Sequence, residues 1–246
     1  MISVRDLTRN YGGFTAVDRI SFTVTPGEVL GLVGPNGAGK TTTLRCLSGI
    51  IAPSTGHVEI AGHDIQEDPV PAKQALAFIP DEPHLFEHLT VEEHLRFIGR
   101  LYGVADAEQR IAPLLDELEI TDKRKSLSTE LSRGMKQKLA IACGLIHDPS
   151  VLILDEPLTG LDPGGMRRMR ATIANRAKAG ASVILSSHLL TLVEELCTKL
   201  FVIRRGACVA YGTLDEIVAA HPALAGRSLE DVFIALTGSD EQVAIA

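Results

Sequence analysis

The chain has 246 residues, a formal net charge of −7 and 45% hydrophobic residues. This length allows one large domain with a substantial core, or a core with a subdomain. The acidic balance argues against a nucleic-acid partner, because proteins that bind the phosphate backbone usually present a basic face.

The cysteines and the hydropathy pattern indicate the compartment. The cysteines lie far apart, with neither C-x-x-C spacing nor companion histidines, as is usual in a reducing compartment. The N-terminus has no apolar signal segment, and no apolar run approaches the roughly 18 residues that span a bilayer. We therefore expect a cytoplasmic chain that would need another polypeptide to supply any membrane span.

Residues 2–30 contain short alternating segments separated by the turn-rich stretches RNYGG and TPGE. This pattern predicts an antiparallel ribbon that leads into the next strand. Tyr11 lies in the first turn. Its ring could stack on a nucleotide base, but an ordinary turn tyrosine explains it equally well.

The stretch GPNGAGKTT follows an apolar run and precedes a helix-like segment over 43–47. It fits G-x-x-x-x-G-K-[ST], in which backbone N–H groups converge on phosphate, Lys40 adds a charge near the β and γ phosphates, and the Thr41 hydroxyl can bind Mg²⁺. The helix that follows directs its N-terminus at the same anion. The candidate nucleotide-binding residues here are Gly34, Pro35, Asn36, Gly37, Ala38, Gly39, Lys40, Thr41 and Thr42.

A strand predicted over 75–79 ends at Asp81 and Glu82, which stand between two prolines. Loops after strands often carry chemistry, although a solvated acidic turn explains the pattern equally well. Residues 84–147 are helical and charged in character, with a capping box from Thr90 to Glu93. A second helical pattern begins at Asp106, and Pro113 must either start that helix or kink it.

A third helix of this region has Ser132 as its predicted N-cap. The Ser132 hydroxyl and the Gly134 N–H form an end of a helix that could receive an anion, although a helix start needs no function. The run VLILD then predicts a buried parallel strand that presents Asp155 and Glu156 at its carboxyl end. Asp155 suits Mg²⁺ and Glu156 suits polarising an attacking water, with an acidic turn as the alternative.

Another buried strand, predicted over 182–185, leads to His188. A histidine at a strand end could contact a γ-phosphate, although a lone histidine is more often structural. Two short strands over 200–203 and 208–211 follow. Thr213 and Glu216 then form a capping box for a helix, and an amphipathic segment lies near the end of the chain.

Taken in order, these features resemble the nucleotide-binding subunit of an ATP-binding cassette (ABC) transporter over nearly the whole chain. The resemblance implies that Tyr11 stacks on adenine, that GPNGAGKT is the Walker A loop, that VLILDEP is the Walker B strand and that Asp162 lies in the D-loop. It makes LSRGMKQ the signature, whose residues would meet the ATP of a second subunit: Leu131, Ser132, Arg133, Gly134 and Gln137. The implied catalytic residues are Lys40, Glu156 and His188, and the implied metal ligands are Thr41, Asp81 and Asp155.

The fold implied by the resemblance is α/β, with a P-loop NTPase (RecA-like) core, an antiparallel β subdomain and an inserted α-helical subdomain. Residues 1–83 and 148–212 would form the core and the β subdomain, 84–147 the helical subdomain, and 213–246 a helical tail.

The implied activity is hydrolysis of ATP with Mg²⁺. Two subunits, identical or paralogous, would enclose ATP between them and power transport through a separate membrane subunit at the inner face of the cell membrane. The stretches GMKQKLA and SLEDVFIALTG resemble the subfamily that serves ABC-2-type exporters. One departure is Asp81, where family members often carry glutamine.

Two other functions compete with this one. A soluble ABC ATPase acting on a ribosome or DNA usually needs a second cassette or a long inserted coiled coil, and the sequence has neither. A nucleotide-gated subunit with little turnover is disfavoured because Lys40, Glu156 and His188 are all present.

Overall fold

A computed structural model describes residues 1–238. The prediction of a helical tail over 213–246 can therefore be followed only to residue 238, and its part over 239–246 lies outside the described residues. The predicted α/β architecture is confirmed, with one antiparallel and one mainly parallel sheet. The predicted division into subdomains stays a proposal.

The antiparallel sheet has the strand order β2-β1-β4-β5. Its strands are β1 (Ile2–Tyr11), β2 (Phe14–Val24), β4 (Thr55–Ile60) and β5 (His63–Asp64). Alternate side chains of β2, including Ile20, Phe22 and Val24, are buried, as the alternation of the sequence predicts. The ribbon of β1 and β2 does not continue into the strand before the phosphate loop, because that strand belongs to the other sheet.

The second sheet has the order β10-β9-β3-β8-β7-β6 and is parallel except for β10. Its strands are β3 (Val29–Val33), β6 (Leu76–Ile79), β7 (Val151–Asp155), β8 (Ser182–Ser186), β9 (Lys199–Arg204) and β10 (Ala207–Gly212). Every residue of β3, β7 and β8 is buried, which explains their continuous apolar runs. The loops after β3, β6, β7 and β8 meet at one edge, because the carboxyl ends of parallel strands lie together.

Two packed layers cover the parallel sheet. Leu152 and Leu154 of β7 belong to a core cluster with Leu139 and other residues of the helical region. Val151 and Ile153, on the opposite face of the same strand, belong to a cluster with Phe22 of the antiparallel sheet. The parallel sheet is thus held between the helices and the antiparallel sheet, and its loop-bearing edge is anchored from both sides.

The helices outside the predicted helical region are α1 (Lys40–Leu47), α2 (Pro69–Gln74), α6 (Pro163–Lys178), α7 (Leu190–Leu196), α8 (Leu214–Ala220) and α9 (Leu229–Thr237). The predicted helical region contains α3 (Val91–Leu101), α4 (Ala107–Glu117) and α5 (Arg133–Leu145). Short 3₁₀ turns occupy Thr121–Lys123, Ser128–Glu130 and Pro222–Leu224. Between residues 1 and 238, no helix has both the length and the apolar character that crossing a membrane requires.

Three helices differ from the sequence prediction. Pro113 lies inside α4, so the alternative in which it starts the helix is wrong. Helices α2 and α7 are not predicted, because six or seven residues are too few to display helical periodicity.

Glu92 ties α3 to the segment before the signature. Its carboxylate accepts a hydrogen bond from Arg124 Nε at 2.6 Å and another from Lys125, while Arg96 lies 3.4 Å away. The side chain of Glu92 is only 4% exposed. The Lys125 and Arg124 hydrogen bonds lower the pKa of Glu92 from 4.5 to about 2. The stability that this carboxylate adds is therefore present above pH 4.5 and is lost as the pH falls towards 2.

We expect Glu92→Gln to lower the free energy of unfolding at pH 7 by about 1–3 kcal/mol, because the buried side chain loses its charge-assisted hydrogen bonds from Arg124 and Lys125. The difference between Glu92→Gln and wild type should shrink below pH 4.5. Urea unfolding at pH 7 and near pH 3.5 measures both effects. Glu108→Gln, which removes a partner of the same Arg96 on the exposed surface, is the control and should cost at most about 1 kcal/mol. An equal loss for Glu92→Gln at both pH values would contradict the account.

Candidate functional site

The phosphate loop joins β3 to α1 at the loop-bearing edge of the parallel sheet. Gly39, the N-cap of α1, has φ +108°, a conformation that other residues rarely adopt. A Cβ atom at Gly39 would also lie 2.5 Å from the carbonyl oxygen of Ala16. Glycine is thus required here twice, for its backbone conformation and for the close approach of β2.

A cavity of about 590 Å³ opens in front of this loop. It brings together the predicted loop residues 36–42 and the acids at the end of β7, whereas Gly34 and Pro35 do not line it. Its lining comprises Phe14, Ala16, Asn36, Gly37, Ala38, Gly39, Lys40, Thr41, Thr42, Asp81, Asp155, Glu156, Thr159 and His188.

Lys40 lies over the loop that precedes it. Its ammonium group donates hydrogen bonds to the carbonyl oxygens of Gly34 at 2.5 Å and Pro35 at 3.1 Å. The positive charge is therefore concentrated at the N-terminus of α1, where the helix dipole also favours an anion.

Thr41 and Asp155 form the contact between the loop and β7. The Thr41 hydroxyl donates a hydrogen bond to Asp155 Oδ2 at 3.1 Å, and Asp155 is only 5% exposed. Burial raises the pKa of Asp155, while the hydrogen bond from Thr41 opposes that rise. A hydroxyl and a carboxylate at this distance are a donor set that suits Mg²⁺. Over residues 1–238, no cluster of three or more His, Cys, Asp or Glu is arranged to hold a metal, so further ligands would have to come from phosphate and water.

Asp81 lines the cavity with Asp155 but is held differently. The terminal nitrogen of Arg133 lies 3.7 Å from Asp81 Oδ1. The structure thus brings all three predicted metal ligands to one cavity while giving Asp81 an alternative partner.

Glu156 and His188 face each other across the same edge. His188 Nδ1 lies 2.8 Å from Glu156 Oε2, and the Ser187 hydroxyl is 3.4 Å from that oxygen. Glu156 has φ +49°, a left-handed conformation that turns the chain sharply after β7. Burial raises the pKa of Glu156, and the hydrogen bond to His188 acts against it. A carboxylate oriented by a histidine in this way can accept a hydrogen bond from a water molecule.

The aromatic side of the cavity is formed by Phe14. Tyr11 pairs with Phe14 across the β1–β2 hairpin, but Tyr11 itself is not part of the cavity lining. Its ring stacks instead against the guanidinium of Arg9, at 4.5 Å from the ring centroid. Adenine stacking by Tyr11 remains a prediction, and Phe14 is a second candidate from the same turn.

The signature residues do not line the cavity, although Arg133 of this stretch lies 3.7 Å from Asp81, which does. Within residues 1–238, none of the stretch 131–137 lines it. Ser132 is the N-cap of α5 and accepts a hydrogen bond from the Met135 N–H at 3.3 Å. Gly134 approaches the next loop so closely that a Cβ atom would lie 2.5 Å from the Gly160 carbonyl oxygen.

Two of the predicted signature residues have buried side chains. Leu131 is 5% exposed and Gln137 is 1% exposed, so both side chains pack inward, and their contact with the ATP of a second subunit stays a prediction. The exposed polar side chains of this stretch are Ser132 and Arg133.

Asp162 caps a helix. Its Oδ1 accepts a hydrogen bond from the Gly165 N–H at 2.7 Å, at the start of α6. The predicted D-loop role is not tested by this contact, which itself explains an aspartate before Pro163.

Several residues of the site belong to no sequence motif and were not predicted. Ala16, Thr159 and Phe14 line the cavity, and Ser187 contacts Glu156. Their place in the sequence could have indicated two of them, because Phe14 lies in the same hairpin as Tyr11 and Ser187 directly precedes His188.

Comparison with known proteins agrees with this geometry. The sequence model of the ABC transporter family matches residues 17–159. The "ABC-type transporter ATP-binding protein EcsA" of Bacillus subtilis is 36% identical over 242 residues, which cover 98% of this chain and 98% of that protein. The "Nod factor export ATP-binding protein I" of Paraburkholderia xenovorans is 39% identical over 214 residues, covering 86% of this chain and 70% of that protein.

A solved structure described as "Structure of ATP binding subunit of ABC transporter" superimposes with a TM-score of 0.92 and 35% identity. The match covers 97% of this chain and 100% of that one. The predicted P-loop NTPase fold is thereby confirmed.

The hairpin aromatics can be separated by mutation. If Tyr11 stacks on adenine, Tyr11→Ala should weaken ATP binding by roughly 0.5–1.5 kcal/mol, and Tyr11→Phe should stay close to wild type. Phe14→Ala, from the same turn, is the matched comparison. Dissociation constants for ATP measured by calorimetry decide between them. A loss confined to Phe14→Ala would move the stacking role to Phe14, and equal constants for all variants would make both rings ordinary turn residues.

Proposed function

The chain belongs to the ABC transporter family as a subunit that binds and hydrolyses ATP, and from this premise we propose that it works in pairs to drive export through a separate membrane subunit. Each ATP would lie between the phosphate loop of one chain and the signature helix of the other. The second chain can be identical or paralogous.

The observation that carries this proposal is the separation of the two glycine-rich helix starts. Lys40 at the start of α1 lines the cavity, whereas Ser132 and Gly134 at the start of α5 do not. Both starts suit an anion, because each carries backbone N–H groups without helical partners. A triphosphate in the cavity of one chain could use both starts if the second came from another chain, and ATP would then hold the chains together.

The cavity residues supply the remaining roles. Lys40 and the loop N–H groups would hold the β and γ phosphates. Glu156 would orient the attacking water, with His188 keeping the carboxylate in place at 2.8 Å. Thr41 and Asp155 would hold Mg²⁺. When bound, the metal ion would neutralise part of the negative charge on the phosphates.

A groove beside the nucleotide cavity suits the membrane subunit. It has a volume of about 690 Å³ and runs between the Asp81 loop and helices α3 and α5. Apolar side chains such as Ile50, Phe86 and Ile98 form much of its wall. Ile50 and Phe86 are more than half exposed, which favours burial by a partner. We place the chain at the inner face of the cell membrane, with an apolar helix of its partner in this groove.

Export is favoured over the competing functions by the relatives. The protein of P. xenovorans is named for export, and the B. subtilis protein as a transporter subunit. The net charge of −7 gives no reason to propose a ribosome or DNA as partner.

The paired mechanism predicts the behaviour of Glu156→Gln. The variant should bind ATP and Mg²⁺ and form a stable dimer, while its turnover falls by about 10²–10⁴-fold, because one water-orienting group is lost. Size-exclusion chromatography and steady-state ATPase assays measure the two effects. Glu156→Gln combined with Ser132→Arg is the control and should stay monomeric. Near-normal ATPase activity of Glu156→Gln would remove Glu156 from this role.

The groove predicts which substitutions break the complex. Ile50→Asp and Phe86→Asp should each abolish co-purification with a co-expressed membrane subunit, because a charge would be buried against an apolar helix. Val70→Asp is the control, since Val70 is 66% exposed and lies outside the groove lining. Circular dichroism checks that each variant is folded. Undiminished co-purification of Ile50→Asp and Phe86→Asp would move the docking surface elsewhere.

A further inference from the structure

Asp81 is the residue at which the nucleotide cavity, the groove and the signature helix meet. Asp81 lines both the nucleotide cavity and the groove. Among residues 1–238, only Thr41 and Asp155 also line both. A change in the ion-pair partner of Asp81 would therefore alter the contacts of the cavity, the groove and the signature helix.

One oxygen of Asp81 lacks a satisfactory partner. Asp81 Oδ1 is buried and accepts no hydrogen bond from the described part of the chain, although the side chain as a whole is 44% exposed. Arg133, at 3.7 Å from this oxygen, is the cation positioned to neutralise it. Asp81 also repels Asp155, so the position of its charge matters to the acids at the end of β7.

Arg133 is itself held from two sides. A Cβ atom built on Gly160 would lie 3.1 Å from Arg133 Cγ and 3.2 Å from Cδ, so the aliphatic stem of Arg133 crosses the backbone of the loop after Glu156. Its guanidinium reaches back to Asp81. Arg133 is the first residue of α5, and the first turn of that helix contains no acid, so a cation there is unfavourable without an external carboxylate. Asp81 supplies that carboxylate from the core.

We propose that Arg133 is a positioning residue that holds Asp81 by an ion pair. The pair fixes the start of the signature helix against the Asp81 loop, which borders both the nucleotide cavity and the groove. Arg133 and a divalent cation would therefore compete for the carboxylate of Asp81. While Arg133 neutralises Asp81, a divalent cation at the cavity gains less from its charge. Binding of the cation to Asp81 releases Arg133 at the surface where the second chain is expected. This inference rests on Asp81 being a metal ligand, as the family resemblance implies, and on the proposed role of the signature helix.

The test measures how the binding of a fluorescent ATP analogue to the isolated chain depends on Mg²⁺, without turnover. Arg133→Gln should lower the Mg²⁺ concentration for half-maximal binding by about two- to five-fold, the size expected of a partly exposed ion pair. In the Asp81→Asn background the same substitution should have no effect. Arg133→Lys keeps the charge and should stay near wild type. Lys136→Gln removes a charge one turn further along α5 and is the matched control.

The possible results distinguish failure of the Arg133–Asp81 ion pair from failure of the proposed function. An equal shift in both Asp81 backgrounds would show that Arg133 acts through net charge and would overturn the ion pair. Identical Mg²⁺ curves for wild type and Arg133→Gln would overturn it as well. Failure of wild type to bind the nucleotide at any Mg²⁺ concentration would contradict the proposed function and the inference together.

Discussion

The hydrogen bond from Thr41 to Asp155 is the contact on which the site depends. It joins the first turn of α1 to the end of β7, two segments far apart in the sequence. Strand β8 lies between β3 and β7 in the sheet, so the bond reaches across the edge of that strand. The buried apolar strands hold this edge rigid from both faces, and Asp155 therefore stays where burial raises its pKa.

This arrangement concentrates opposite charges in one cavity. Lys40 and the N-terminus of α1 favour an anion, while Asp81, Asp155 and Glu156 surround the place where a cation would bind. Neither ion alone satisfies both groups, whereas a triphosphate with its metal does. The acids also repel one another, and His188 beside Glu156 and Arg133 beside Asp81 offset part of this repulsion.

The sequence predicts the parts of this site that are contiguous. The phosphate loop and the acids after β7 are recognisable because their chemistry requires fixed residue types at fixed spacing within a few residues. Phe14 and Ser187 are not recognisable in this way, because each comes to the site through strand pairing or a turn. The burial of Gln137 also escapes the sequence, since a polar residue in a polar motif gives no sign that its side chain packs inward.

The fold follows the same rule. Long apolar runs predict the parallel strands, and N-capping residues predict the starts of helices α3, α5 and α8. Helices α2 and α7 are too short to show a helical period. The separation of the antiparallel sheet from the parallel one depends on tertiary packing and could not be derived locally.

The central claim is that one ATP is held by two chains. The crystal structure of Glu156→Gln with ATP and Mg²⁺ tests it most directly. We predict that the γ-phosphate lies within hydrogen-bond distance of Lys40 from one chain and of Ser132 and the Gly134 N–H from the other. ATP contacted by a single chain, or by Ser132 and Lys40 of the same chain, would contradict the account.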